Sequence, residues 1–279
     1  MPLVIAEIGV NHNGSLDLAK KLIAAAQECG ANAVKFQTFT AEELASPLTP
    51  KVAYQERDKS STSHLDMLRA LELSPTDLEE VAAFSARSGI EFMSTPYSIG
   101  AVRILESIGV RRFKTASADI VDLPLHAAIA ATGLPVLIST GMATNREIAG
   151  AIDIYQDPSN KVTILHAVSK YPTPLHEANL NRILRLRSDF GLKVGYSDHT
   201  SGYLAAATAV ALGATIIEKH FTLDRTFPGP DHLASAEPDE FRQMVEILEQ
   251  VESSLGTGEF QLQPEELEMS RVSRKSLHL

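Results

Sequence analysis

The sequence predicts an α/β protein built as one (β/α)8 barrel, the TIM-barrel architecture. Short, nearly continuously apolar runs recur about eight times along the 279 residues. Helical patterns separate these runs, and the connections have the length of crossovers between parallel strands that are covered on both faces. Polar residues recur where the apolar runs end, as is typical of a barrel mouth. Together these observations favour a closed barrel over an open sheet.

The eight predicted strands are each four to six residues long. In chain order they are Leu3–Ile8, Ala33–Thr38, Glu91–Ser94, Arg112–Ala116, Val136–Ser139, Val162–Ala167, Lys193–Tyr196 and Thr215–Glu218.

The predicted helices carry their own start signals and core-facing stripes. In one of them Ser74 can cap the helix, Pro75 suits the first helical position and Asp77 can complete a capping box. The stripe that follows consists of Leu78, Val81, Ala82 and Ser85. The last helix of the barrel is predicted over Glu240–Leu255.

One domain is predicted, over residues 1–255, with an insertion at about residues 41–71. The insertion follows the second strand, reads as irregular and includes the polar run Glu56–Ser63. Loops that follow barrel strands lie at the mouth, so we interpret the insertion as a lid. Residues 256–279 form a polar tail that is too short for a second domain.

Composition narrows the classes of partner. The formal net charge of −10 argues against nucleic acid and anionic membranes as partners, since both would require a cationic face. It does not exclude a small anionic ligand held by local lysines. Cys29 is the one cysteine, and no apolar stretch is long enough to span a bilayer, so we expect a cytoplasmic location.

Two histidines, His199 and His220, each follow an apolar run at the point where it becomes polar. The helical stretch Gly202–Leu212 between them has the length of one crossover, so their strands should be parallel neighbours about 4.8 Å apart. A single histidine at a strand end is more often a hydrogen-bonded wall residue. Two in matching positions favour a divalent metal site, and their open coordination positions suit an octahedral ion better than zinc.

Two lysines, Lys35 and Lys114, are predicted at the ends of buried strands, where a charge is costly unless an anion meets it. That anion could be a bound phosphate or carboxylate, or a protein carboxylate such as Glu7 or Asp119. Hydroxyl groups at the same rim favour a phosphoryl ligand. They belong to Ser117, Ser139, Ser169 and Ser197.

Seven segments, in order and with matching spacing, resemble the sialic acid synthase family. They are Ile5–Ser15, Val34–Thr38, Phe113–Ser117, Ile138–Met142, Tyr171–Pro174, Gly195–Thr200 and Ile217–Thr222. The resemblance extends from Ile5 to about Leu255. It implies a (β/α)8 transferase that condenses phosphoenolpyruvate with an N-acylated mannose-type aldehyde, giving a nine-carbon 2-keto sugar acid and phosphate.

The resemblance also implies roles for individual residues. His199 and His220 would bind a divalent ion, usually Mn²⁺, with Mg²⁺ or Co²⁺ possible. Phosphoenolpyruvate would contact Lys35, Lys114, Ser117, Ser139 and Ser197. The sugar would contact Glu7, Gln37, Tyr171 and Asp231.

Two positions depart from the family pattern. Asp119 stands where many relatives have glutamate, so an acid-base role there would have a shorter reach; Glu7 is the other candidate for proton transfer. Ser169 stands where the best-known neuraminate synthases have asparagine, which offers substrate a hydroxyl instead of an amide.

The resemblance further implies a homodimer and a small antifreeze-like domain that supplies an arginine for the sugar. We expect that domain to be absent from this chain or separately encoded. The segments Lys51–Gln55 and Gly229–His232 resemble those of legionaminate and bacterial neuraminate synthases. The expected acceptor is therefore N-acetylmannosamine or 2,4-diacetamido-2,4,6-trideoxymannose.

Two alternatives stay open on the sequence. One is a phosphoenolpyruvate-dependent synthase for another sugar phosphate, which would need arginines at the mouth; the candidates are Arg103, Arg146 and Arg225. The other is a relative that keeps the pocket and binds ligand without turnover.

Overall fold

The computed structural model describes residues 1–46, 48 and 63–275. Its strands are β1 Leu3–Glu7, β2 Ala33–Thr38, β3 Glu91–Pro96, β4 Phe113–Thr115, β5 Val136–Ser139, β6 Val162–Ala167, β7 Lys193–Asp198 and β8 Ile216–His220. Its α-helices are α1 Leu16–Glu28, α2 Ala41–Leu44, α3 His64–Leu71, α4 Pro75–Arg87, α5 Ile99–Ile108, α6 Leu123–Ala131, α7 Asn145–Ile152, α8 Pro158–Lys161, α9 Asn181–Phe190, α10 Leu204–Ala211, α11 Pro238–Leu255 and α12 Pro264–Ser273.

The eight strands are parallel and form a nearly closed barrel with helices between them. Hydrogen-bonded neighbours follow the order β3-β2-β1-β8-β7-β6-β5-β4, and β3 lies beside β4 where the barrel closes. The predicted (β/α)8 fold is confirmed. No helix in the described ranges is long and apolar enough to cross a membrane.

Five strands end at residues other than those predicted. β1 ends one residue earlier, at Glu7, and β3 ends two residues later, at Pro96. β7 and β8 each continue two residues further, to Asp198 and His220, because the ladder between them pairs polar residues as well as apolar ones. β4 is shorter than predicted and ends at Thr115, where a 3-10 turn over Ser117–Val121 begins soon afterwards.

Helix α4 begins with the capping box that the sequence predicted. The Ser74 side chain accepts a hydrogen bond from the backbone of Asp77, and the Asp77 side chain accepts one from the backbone of Ser74. This capping box satisfies amide groups that the first helical turn leaves free. Leu78, Val81 and Ser85 of the predicted stripe are buried against the barrel, whereas Ala82 is half-buried.

The barrel interior has an apolar layer beneath a polar one. A separate buried cluster consists of Ile5, Ala33, Met93, Leu137, Leu165 and Ile216. Side chains two residues apart on a strand face the same side. For five of these apolar residues, the side chain two positions closer to the carboxyl end of the same strand is polar. The polar residues are Glu7, Lys35, Thr95, Ser139 and Glu218. The apolar layer closes the barrel floor, and the polar layer therefore faces the mouth.

The insertion after β2 is less irregular than its sequence suggested. It contains α2 and α3, which share a small apolar core of their own with the β1 and β2 loops. The members of that core are Val10, Phe39, Ala41, Ala45, Leu65, Met67, Leu68 and Leu71, with Tyr97 packed against them. The segment Lys51–Gln55, used above to predict the acceptor, lies outside the described residues.

Candidate active site

A cavity of about 760 Å³ opens at the carboxyl ends of the barrel strands. Twelve of the thirteen side chains that the sequence predicted for the site line it. They are Glu7, Lys35, Gln37, Lys114, Ser117, Ser139, Ser169, Tyr171, Ser197, His199, His220 and Asp231. Residues from seven different strands or the loops after them therefore converge on one volume. Their proximity is a geometric finding, whereas their roles stay predictions.

The floor of the cavity is a network of buried charges. Glu7 forms an ion pair with Lys35, and Glu218 lies with its carboxylate 3.9 Å from Lys35 and 3.1 Å from Lys114. Ser197 donates a hydrogen bond to Glu218 at 2.9 Å. The lysines thus have fixed carboxylate partners: Glu7 is the near partner of Lys35, and Glu218 is that of Lys114. The sequence left open whether the lysines meet a bound anion or a protein carboxylate, and the structure shows protein carboxylates beside both.

The charge state of this network follows from burial and neighbours. Burial raises the pKa of Glu7 to about 7, against the opposing effect of Lys35. Burial would also raise the pKa of Glu218, but Lys114 and Lys35 outweigh it and hold the pKa at about 2. Burial lowers the pKa of Lys114, with Glu218 opposing. Near neutral pH the two lysines thus face the ionised Glu218 and a Glu7 carboxyl that is partly protonated, an arrangement suited to an anionic ligand.

Hydroxyl groups gather on one wall of the cavity. The Oγ atoms of Ser117 and Ser139 are 2.9 Å apart, and the amide of Gly141 donates to Ser117 at 3.0 Å. A Cβ atom at position 141 would collide with the hydroxyls of Ser117 and Ser169. A side chain at position 141 would therefore displace both hydroxyls, so glycine here keeps them in place as donors for an oxyanion.

The two predicted metal ligands lie side by side, with ring centroids 5.7 Å apart. His199 Nδ1 lies 2.7 Å from the carbonyl oxygen of Val168, so this nitrogen donates and Nε2 keeps its lone pair. His220 Nδ1 is buried with no hydrogen-bond partner among the described residues, 3.7 Å from a carboxylate oxygen of Asp231. Burial lowers the pKa of His199 to about 4 and that of His220 well below its ordinary value.

Two neutral imidazoles fit a divalent cation. The Ser197 hydroxyl lies 3.4 Å from His199 Nε2 but donates its proton to Glu218, which leaves the lone pair of Nε2 available. A carbonyl that holds the opposite ring nitrogen is the usual support for a ligating histidine. No group of three or more His, Cys, Asp or Glu side chains in the described part of the chain could hold a metal ion. The protein would therefore supply few ligands, which leaves coordination positions for water or substrate.

The outer part of the cavity is lined by groups suited to a polar neutral ligand. The Tyr171 ring packs 4.1 Å from the His199 ring, centroid to centroid. Gln37 donates to Glu7 at 3.3 Å and to the carbonyl of Gly9 at 3.1 Å. Burial raises the pKa of Asp231 to about 6, with Lys35 opposing.

Asp119 is the predicted site residue that does not line the cavity. It belongs to the 3-10 turn after β4, and its Oδ2 atom is buried without a described hydrogen-bond partner. Burial, and then Asp122, raise the pKa of Asp119 to about 6. Its predicted acid-base role would need the turn to bring it closer to the reacting atoms.

Several lining residues were not assigned a role from the sequence. They are Glu218, Thr95, Tyr97, His64, Met142 and Lys170. A signal existed for Glu218, which is two residues before His220 on the same strand and so faces the same side. Thr95 lies two residues after the interior residue Met93 on the same strand, so it also faces the interior. Its hydroxyl accepts a hydrogen bond from Lys35 at 3.1 Å. His64 and Met142 lie beyond strand ends, where the alternation of side chains gives no guidance.

Comparison with known proteins gives the family. Residues 22–260 match the NeuB family. This chain belongs to the NeuB family. The resemblance to sialic acid synthases that the motifs indicated is thereby confirmed.

Individual NeuB relatives cover almost the whole chain. It is 43% identical over 282 residues to the N,N'-diacetyllegionaminic acid synthase of Legionella pneumophila, spanning 99% of this chain and 79% of that protein. It is 40% identical to the synthase of the same name from Campylobacter jejuni, spanning 99% and 84%. A crystal structure of N-acetylneuraminic acid synthetase from Leptospira borgpetersenii, in complex with citrate, superposes with a TM-score of 0.86 at 35% identity and covers 97% of this chain and 90% of that one.

Proposed function

We propose that this NeuB protein condenses phosphoenolpyruvate with an N-acylated mannose-type aldehyde to give a nine-carbon 2-keto sugar acid and phosphate. The observation that carries the proposal is the cavity, in which an anion-binding floor meets a pair of neutral imidazoles and a polar outer wall. Relatives that are named as legionaminic acid synthases support the same reaction class.

Phosphoenolpyruvate would bind through Lys35, Lys114 and the hydroxyl wall. Glu7 is partly protonated near neutral pH, so the phosphate and carboxylate groups of the substrate would complete the pairing of the two lysines. Ser117, Ser139 and Ser169 would donate hydrogen bonds to its oxygens. Fixed donors in a buried cavity also orient C3 of the enol toward the mouth.

His199 and His220 would hold a divalent ion, Mn²⁺ in our proposal, with Mg²⁺ or Co²⁺ able to replace it. When bound, that ion supplies Lewis-acid polarisation of an aldehyde oxygen. The Val168 carbonyl orients the His199 ring, and the Tyr171 ring packs against both imidazoles.

Proton transfers fall to Glu7 in this proposal. C3 of the enol attacks the aldehyde carbon, whose oxygen takes up a proton, and water adds at C2 before the phosphate group departs. A carboxyl with a pKa of about 7 is present in both protonation states near neutral pH, so it can donate one proton and accept another. Gln37 fixes the orientation of Glu7 by donating to Oε1.

An unphosphorylated acceptor fits the outer wall better than a sugar phosphate. None of the arginines in the described part of the chain lines the cavity, and Arg225 is held away from it by Glu240 and the carbonyl of Ser235. Lys170 does line the cavity, but it is already paired with Glu177 at 2.7 Å. We therefore propose N-acetylmannosamine or 2,4-diacetamido-2,4,6-trideoxymannose as the acceptor.

A phosphate-release assay with a panel of acceptors tests this proposal. The panel contains both proposed sugars, their 6-phosphates where these exist, and arabinose 5-phosphate as a different sugar phosphate. Release of phosphate that depends on an unphosphorylated N-acylated mannose supports the proposal. Release only with a sugar phosphate would favour the alternative synthase, and binding without release would favour a non-catalytic relative.

A further inference from the structure

A buried ion pair lies outside the cavity, directly behind the two histidines. Lys219 Nζ is 2.8 Å from Oδ2 of Asp198, and both side chains are at most 3% exposed. Asp198 immediately precedes His199 in the chain, and Lys219 immediately precedes His220. Neither charged residue lines the cavity, so the reaction proposed above does not use them.

The pair connects the two histidine-bearing segments on their hidden side. Asp198 and Lys219 are register partners on β7 and β8 and face the helix layer, because their neighbours Ser197 and Glu218 line the cavity. The same ammonium donates to the carbonyl oxygen of Thr200 at 2.7 Å. Lys219 therefore holds the residue before His199 and the residue after it.

Further hydrogen bonds close the backbone around His199. The amide of Thr200 donates to Oδ1 of Asp198 at 2.8 Å, and the amide of Thr173 donates to the carbonyl of His199 at 2.8 Å. The segment from Asp198 to Thr200 is thus fixed at three successive residues. Such fixation exceeds what strand pairing requires, since the β7–β8 ladder is already made by backbone hydrogen bonds.

Stability alone is a poor reason for a buried ion pair. Removing two charges from water costs about as much as their attraction returns, and an apolar pair of similar size is often as stable. What the ion pair supplies is a fixed distance between two chain segments. Here those segments carry the imidazoles whose separation determines whether one cation can meet both.

We propose that Asp198 and Lys219 are a positioning pair that sets His199 and His220 at the separation required by a divalent cation. This inference rests on the metal site in the proposed function. The pair touches neither the cation nor substrate; it acts through the backbone on either side of His199 and through the residue that precedes His220.

Three variants separate positioning from simple stabilisation. Lys219→Met removes one charge and leaves Asp198 unpaired. The double variant Asp198→Asn/Lys219→Met removes both charges while keeping an acceptor for the Thr200 amide. Arg112→Met is the matched control, because Arg112 pairs with Glu91 at 2.8 Å at the opposite end of the barrel. For each protein we would measure Mn²⁺ affinity by electron paramagnetic resonance, phosphoenolpyruvate affinity by calorimetry and thermal unfolding without metal.

The expected result is a split between metal affinity and stability. Lys219→Met should weaken Mn²⁺ binding by about 10–100-fold, the range for residues that orient metal ligands, with little change in phosphoenolpyruvate affinity. The double variant should recover thermal stability, since no buried charge is left unpaired, but not Mn²⁺ affinity. Arg112→Met should lose stability alone.

Two results would overturn the inference in different ways. In the first, Mn²⁺ binding requires His199 but is unchanged in Lys219→Met, or it recovers together with stability in the double variant. The pair then has only a structural role, and the proposed metal site stands. If Mn²⁺ binding survives His199→Ala, the proposed metal site is itself wrong, and the positioning role is rejected with it.

Discussion

Lys114 Nζ lies 3.1 Å from Oε1 of Glu218, and both side chains are almost completely buried. This pair explains how the barrel tolerates a lysine at its polar floor before any ligand arrives. Because Glu218 is shared with Lys35, one carboxylate serves two ammonium groups. The floor therefore pairs its buried charges before the proposed anion binds.

Replacing Glu218 by glutamine should lower the stability of the protein without ligand. Glu218→Gln leaves two buried lysines opposite one partly protonated carboxyl, so the free energy of unfolding should fall by about 3–5 kcal/mol. Added inorganic phosphate should restore more stability to the variant than it adds to the wild-type protein. Denaturant unfolding with and without phosphate measures both effects. Glu91→Gln, at the other end of the barrel, is the control; equal phosphate effects in all three proteins would contradict the shared-carboxylate account.

The lysines themselves should determine phosphoenolpyruvate affinity. Lys35→Met or Lys114→Met should weaken binding by about 2–5 kcal/mol, the range for truncating one partner of a buried charge pair. Isothermal titration calorimetry without metal measures the change. Lys20→Met removes a surface lysine paired with Glu80 and should bind normally. Wild-type affinity in both cavity variants would show that the anion binds elsewhere.

Metal binding should require both histidines of the cavity. His199→Ala and His220→Ala should each abolish detectable Mn²⁺ binding and turnover while the barrel still unfolds cooperatively, because each change removes a ligand rather than a core contact. Metal content after dialysis is the direct measurement. His176→Ala, which removes an exposed histidine beside Glu177, is the matched control. Full metal content in the double variant His199→Ala/His220→Ala would place the ion elsewhere.

The half-buried Asp119 should give the free energy of unfolding a measurable pH dependence. Its pKa is raised from an ordinary 3.8 to about 6, so the folded protein binds a proton that the unfolded chain releases. The protonated carboxyl therefore stabilises the folded state fully below pH 3.8. This stabilisation is lost as the pH rises through 6, by at most about 3 kcal/mol.

Asp119→Asn tests this pH dependence. The variant should be more stable than wild type at pH 7 and should lose less stability between pH 4 and 6. Denaturant unfolding across that window measures the difference, with Asp153→Asn as the exposed control. Identical pH profiles for Asp119→Asn and wild type would show that this carboxyl is ionised normally.

Much of the site could be predicted because strand geometry is regular. Alternation along β1, β2 and β8 put Glu7, Lys35 and His220 on the interior face, and the end of each apolar run marked the mouth. The predicted fold is confirmed by the observed barrel, and the predicted family by the match of residues 22–260 to the NeuB family. The roles of these residues, the metal, the homodimer and the antifreeze-like domain stay predictions.

The sequence was less informative where the regular geometry ends. Asp119 follows a strand of three residues and a change of direction into a 3-10 turn, so its place after an apolar run did not put its side chain in the cavity. The partnership of Glu218 with two lysines depends on distances across three strands, which no local pattern encodes. Helix α3 was missed although Ser63 caps it and Leu65 and Leu68 are buried.

The most direct test of the central claim is the mass of the product. Purified protein would be incubated with Mn²⁺, phosphoenolpyruvate and either proposed aldehyde, and phosphate and sugar acid would be measured in the same samples. The account predicts one nine-carbon 2-keto acid per phosphate released, and no product from His199→Ala. Release of phosphate without a new sugar acid would contradict it. So would a protein that binds metal and phosphoenolpyruvate but consumes no phosphoenolpyruvate with either aldehyde.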